Sequence, residues 1–138
     1  MRTNQIVLFA SLLLMLVIAS CSKDIITPRE YPRVKTLEVS NISKTGATFN
    51  AEIIYQGNQK IIEHGFVWME YKVLNEVLQS PSLEYSEKVV ITQPITTGVF
   101  NSEISNAFDA GTKYTIRAYA RSNEYLVYGK FIFFTSLN

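Results

Sequence analysis

From Lys113 to Arg121 the sequence alternates without interruption: Tyr114, Ile116, Ala118 and Ala120 fall on one face, and Thr115, Arg117, Tyr119 and Arg121 on the other. A period of two puts successive side chains on opposite faces of a strand, whereas a helix would bring together residues three and four apart. From Val34 onward the same period recurs and no sustained helical one appears. Val34 to Val39 is a candidate first strand. Ala47 to Ile53 alternates small or apolar with polar residues, and Ile61 to Tyr71 runs through Gly65-Phe66-Val67-Trp68. Lys88 to Thr92, Thr97 to Ile104 and Tyr128 to Thr135 complete the set. Lys44-Thr45-Gly46, Gln56-Gly57-Asn58-Gln59, Asp109-Ala110-Gly111-Thr112 and Asn123-Glu124 supply turns between them. About seven short strands at this spacing predict an all-β, two-sheet sandwich. Lys72 to Ser82 reads as a connection. Val73, Leu74, Val77 and Leu78 have spacings that also fit a short helical turn, which Pro81 would close.

The amino terminus follows different rules. Arg2 precedes an apolar run from Ile6 to Ala19, and Ser22-Lys23-Asp24 turns polar directly after Cys21. The run is shorter than the ~20 residues of a membrane-spanning helix. A basic start, a short apolar stretch and small residues at its end describe a secretory signal. Val17-Ile18-Ala19-Ser20-Cys21 resembles the bacterial lipobox, in which signal peptidase cuts before a cysteine that carries lipid. The resemblance implies removal of residues 1–20 and acylation of Cys21; two or three acyl chains at ~0.8 kcal/mol per buried methylene give durable anchoring. The other reading is an ordinary signal peptide with Cys21 as a free thiol, a liability in an oxidising compartment.

Cleavage there leaves 118 residues, one domain, with twelve basic and twelve acidic side chains. That balance provides no basic field for nucleic acid. Cys21 is the sole cysteine, so no disulfide can form within the chain and the core must come from apolar packing. Eight Tyr, eight Phe and one Trp supply the bulk. Residues 21–33, with Pro28 and Pro32, read as the lipidated cysteine and an extended tether, leaving residues 34–138 as the folded domain.

Glu63-His64-Gly65-Phe66-Val67-Trp68, Gly98-Val99-Phe100, Gly111-Thr112 with Lys113 to Ala120, Tyr128-Gly129 and Phe134-Thr135 together resemble a fibronectin type III-like domain, of the variety common in Bacteroidetes lipoproteins and surface proteins. The family implies an immunoglobulin-like sandwich and no particular chemistry; its members act as spacers, adhesion modules or accessory binding parts. Tyr114, just after a tight turn, is the candidate for a tyrosine corner whose hydroxyl bonds back to upstream backbone. The chain departs from the family at Ser105-Asn106-Ala107-Phe108, where a leucine is common and Phe108 is expected to fill the core slot. Gly129 is expected to bend the last strand or admit a close neighbour.

The inventory for catalysis is thin. His64 is the single histidine, so no histidine pair can hold a metal, and no cofactor motif is present. Glu63 and His64 are adjacent on a strand and face opposite ways. His64 shares its face with Phe66, Trp68 and Glu70, as a core-capping histidine would; Trp68 likewise reads as core rather than as a ligand platform. No catalytic residue is assigned. Arg117, Tyr119, Arg121 and Tyr125 form a candidate binding surface, because exposed Tyr with Arg is typical of interaction surfaces. The competing reading is a cross-strand ladder in which Tyr119 covers the arginine stems. Val89 to Thr92 could pair with a partner strand, although Lys88 and Pro94 look like edge protection.

These readings converge on a lipid-anchored, non-enzymatic binding or adhesion module that meets the membrane through Cys21 and a glycan or protein through its surface. A structural accessory subunit of a larger envelope complex is the alternative. Ser22 after the cysteine resembles outer-membrane lipoproteins, with the cell surface preferred to the periplasmic leaflet.

Overall fold

The computed structural model describes residues 30–74 and 76–138. The expected signal segment 1–20 and Cys21 lie outside them. Ten β-strands make up the regular elements of the described residues: β1 (Arg33–Thr36), β2 (Ala47–Tyr55), β3 (Glu63–Glu70), β4 (Val73–Leu74), β5 (Val77–Leu78), β6 (Glu87–Ile91), β7 (Gly98–Ile104), β8 (Lys113–Arg121), β9 (Leu126–Tyr128) and β10 (Ile132–Thr135). One sheet has the order β1-β2-β7. The other runs β10-β8-β3-β6, with β9 pairing alongside β8, and β4 and β5 form a separate small hairpin. Every ladder is antiparallel. The fold is a two-sheet β-sandwich, as the alternation predicts, and of the immunoglobulin-like kind that the resemblance implies.

The two inner faces meet on aromatic side chains. Phe49 of β2 projects from one sheet and lies 5.6 Å from Phe66, 5.3 Å from Trp68 and 5.7 Å from Phe134, ring centre to ring centre. Phe108 closes the end of this cluster, 5.9 Å from Phe49 and 4.9 Å from Tyr114. Tilted and edge-on rings at these separations add to the area they bury. Ala47, Ala51, Ala118 and Ala120 are buried between them, and small residues facing large ones let the layers interdigitate.

Three segments differ from the sequence-based expectation. Glu30 to Pro32, assigned to the tether, pack on the domain: Pro32 is buried, Asn58 N donates to Glu30 O at 3.1 Å, and Arg33 already belongs to β1. The proline that looked like a spacer fills space beside the first strand. The last strand is broken into β9 and β10 because β1 intrudes: a Cβ on Gly129 would stand 2.6 Å from Thr36 Oγ1, and Ala118 N donates to that same oxygen at 3.0 Å.

Residues 72–82 form neither a plain connection nor a helical turn. Glu76, at φ +64°, turns the chain, β4 pairs with β5, and Gln79 N donates to Lys72 O to close the base. A positive φ is what a tight hairpin turn demands. From Gln79 to Ser86 the chain then crosses the outside of the second sheet as a strap. Arg117 Nε donates to Pro81 O, and Leu83 N donates to the Tyr128 hydroxyl.

Under this strap the second sheet has a buried outer face, and Gly65 is its tightest point. Its φ is +154°, and a Cβ there would run into the Val89 carbonyl oxygen and lie 3.3 Å from the Tyr119 ring. Gly65→Ala is therefore expected to destabilise the fold by ~1–3 kcal/mol through overpacking and backbone strain. A urea midpoint equal to that of the parent protein would show that the face has room to spare.

Candidate functional site

The four residues of the expected binding surface are not brought together on an open face. Tyr119 does sit on the face of β8 away from the core, opposite Gly65 of β3, yet its exposure is 0%. Its hydroxyl donates to Glu63 Oε1 at 2.9 Å, and Glu63 Oε2 lies 3.7 Å from Arg121 Nη1. Burial and the Glu63 carboxylate both raise the Tyr119 hydroxyl pKa far above its ordinary range. Arg117 is held by Pro81 O and lies 3.9 Å from the Tyr128 ring centre. The strap thus turns a surface that the sequence predicts to be open into a second packed layer, closer to the ladder reading than to the binding one. Arg121, with a side chain 41% exposed, and Tyr125, at the turn after β8, are the members that reach the surface.

Tyr125 has company that the sequence does not single out. Its hydroxyl donates to Glu30 Oε2 at 2.9 Å, and its ring stands 6.2 Å from that of Tyr31. The carboxylate raises the Tyr125 pKa. Tyr31 borders a groove of about 590 Å³ that also takes in Arg33, Lys35, Ile54, Tyr128 and Lys130. Arg33 and Lys35 are two apart on β1 and share a side. The ion pairs among the described residues are Lys72–Glu70 and Arg121–Glu63, so none of the groove's three cations is engaged in one. The period-two spacing of Tyr31, Arg33 and Lys35 is a strand signal visible in the sequence, hidden there by Pro32.

At the other end of the sandwich, the β4–β5 hairpin springs from the far end of β3. Val73 is 49% exposed, Leu74 57% and Val77 61%. Beside its base, Lys113 Nζ lies 4.3 Å from the Tyr71 ring centre and 4.7 Å from that of Phe133. The chain enters at the opposite end, where Glu30 meets Asn58 and Tyr125.

His64 is buried on the inner face of β3, edge-on to Phe100 with ring centres 4.6 Å apart. Its Nδ1 has no hydrogen-bond partner among the described residues. Glu63, its neighbour, faces the other way and is used by Tyr119 and Arg121, so the two make no acid–base pair. Tyr114, expected as a tyrosine corner, accepts a hydrogen bond on its hydroxyl from Asp109 N at 2.8 Å, five residues upstream. Among the described residues no three His, Cys, Asp or Glu side chains gather as a metal site.

A scan of protein-family models gives no match, and a search of curated proteins gives none either. Solved structures do share the sandwich. The sensor domain of the anti-sigma factor RsgI4 from Pseudobacteroides cellulosolvens aligns with a TM-score of 0.55 at 14% identity, over 81% of this chain and 97% of that one. Its solution structure aligns with a TM-score of 0.54 at 14% identity, over 77% of this chain and 75% of that one. A protein described as a myokine aligns with a TM-score of 0.52 at 12% identity, over 81% of this chain and all of the other. At such identities the likeness is one of fold, and it fits the fibronectin-like sandwich expected from the sequence.

Burial lowers the pKa of His64 from 6.5. Below that value the unfolded chain takes up a proton that the folded one resists, so stability is full above pH 6.5 and declines as pH falls. Urea midpoints compared at about pH 7.5 and about pH 5.5 should drop, with a slope below the one-proton limit of about 1.4 kcal/mol per pH unit. His64→Leu should lose that part of the slope; an unchanged slope in the variant would show that His64 is not its source.

Proposed function

We propose that this protein is a lipid-anchored, non-enzymatic binding module of a bacterial outer membrane, held through acylated Cys21 and meeting a protein partner through the β4–β5 hairpin. The observation that carries this reading is the exposure of Val73, Leu74 and Val77 at the end of the sandwich farthest from where the chain enters. Apolar side chains gathered on a projecting turn are costly to leave in water and mark contact surfaces. A tether at one end and a sticky hairpin at the other would present that hairpin away from the membrane. Sensor domains of an anti-sigma factor share the fold, which is compatible with a recognition role and does not by itself assign one. The cell surface is preferred to the periplasmic leaflet.

One experiment with two arms tests this. Full-length protein and the double variant Leu74→Asp, Val77→Asp are expressed in a bacterium that makes outer-membrane lipoproteins, labelled with radioactive palmitate and cross-linked in intact envelopes. Label should enter the mature parent protein and be absent from Cys21→Ser. Cross-linked species formed by the parent should fall several-fold in the double variant while its urea midpoint stays put. Label persisting in Cys21→Ser contradicts the anchor, and unchanged cross-linking contradicts the hairpin. A stoichiometric partner that survives gentle solubilisation would favour a structural accessory subunit instead.

A further inference from the structure

We infer that the groove between β1 and β9 is a binding site for acidic glycans. In it Arg33, Lys35 and Lys130 would meet carboxylates, and Tyr31 would face a sugar ring. The site is separate from the hairpin and does not depend on the anchor.

The argument begins with charge. The whole chain carries 13 basic and 12 acidic side chains, so a cluster of one sign has to be local. Among the described residues the groove is lined by three cations and no carboxylate. No carboxylate among the described residues forms an ion pair with them. Glu30 accepts the Tyr125 hydroxyl, and Glu52, directly across from Lys35 in the β1–β2 register, makes no ion pair with it within 4.0 Å. Cations concentrated in a concave surface and held in no ion pair raise the local concentration of anions. The Arg33 guanidinium adds a planar fork that matches a carboxylate with two parallel hydrogen bonds.

The second half of the argument is the aromatic wall. Tyr31 is 42% exposed and lies before the first strand, outside any ladder. Here it is braced from behind by Tyr125, which is itself fixed through Glu30. A tyrosine ordered before binding loses little side-chain entropy on contact, which is how rigid aromatics contribute affinity at a recognition surface. Apolar Ile54 and Val127 complete a lining that suits the mixed polar and apolar faces of a sugar. Local cations beside one ordered ring suit a short acidic sugar segment better than a long polyanion, which would need an extended basic track.

The test uses detergent-solubilised full-length protein and titration calorimetry with three probes: polygalacturonate, its methyl ester, which keeps the sugar and removes the charge, and polyglutamate, which keeps the charge and removes the sugar. Polygalacturonate should bind at least about tenfold more tightly than either control, a difference of about 1.4 kcal/mol. Arg33→Gln, Lys130→Gln and Tyr31→Ala should each weaken it several-fold, and added salt should weaken it in the parent. Lys44→Gln, in the turn at the opposite end, should leave binding unchanged. Equal affinity for the methyl ester would remove the cations from the account, equal affinity for polyglutamate would remove the sugar, and no binding of polygalacturonate would overturn the site. None of these results bears on the hairpin, which the cross-linking reads separately.

Discussion

Phe49 is the contact on which both sheets depend. It projects from the three-stranded sheet into a cage made by Phe66, Trp68, Phe108 and Phe134, three of them on strands of the facing sheet and Phe108 in the turn leading into it. The sole cysteine stands at position 21, so no covalent link within the described residues ties one sheet to the other. Packing holds the layers in register, together with the hydrogen bond that Ala118 N of β8 donates across to Thr36 Oγ1 of β1. Close-packed interiors tolerate little loss of volume, and a ring that touches four others at once concentrates that sensitivity at one position.

The strap extends the same logic outward. A small sandwich normally leaves the outer face of each sheet in water. Here the return from the β4–β5 hairpin lies across β8 and β3, and Val67, Thr115 and Tyr119 become as buried as the inter-sheet core. The strap is held by polar contacts, Arg117 to Pro81 O and Tyr128 to Leu83 N, and its apolar anchor is the buried Pro81. The exposed hairpin lies beyond the far end of β3, and the cationic groove lies beside β1 and β9, both away from the face that the strap covers.

Much of this was legible in the residues themselves. The alternation from Lys113 to Arg121 gives β8 its bounds and both of its faces, and the aromatic content and lack of disulfides point to the core. Periodicity says which side chains share a face, but not what lies on top of that face. Arg117 and Tyr119 therefore read as a surface until the strap is placed, and the strap comes from a segment whose apolar spacings fit a helical turn as well as a hairpin. The split of the last strand was equally hidden, since it depends on Thr36 of β1 arriving beside Gly129 from more than ninety positions earlier in the chain. Local pattern carries the strands; the groove depends on which distant segments meet.

The most direct test of the account is equilibrium urea unfolding of Phe49→Ala beside the parent protein, followed through both tryptophan fluorescence and far-ultraviolet circular dichroism. Removing the ring should cost ~3–5 kcal/mol, with the two signals changing together in a single transition because one core serves both sheets. A loss below ~1 kcal/mol, within the range of ordinary surface substitutions or little beyond it, or two separated transitions, would mean that the sheets are held together by something other than the aromatic cluster around Phe49.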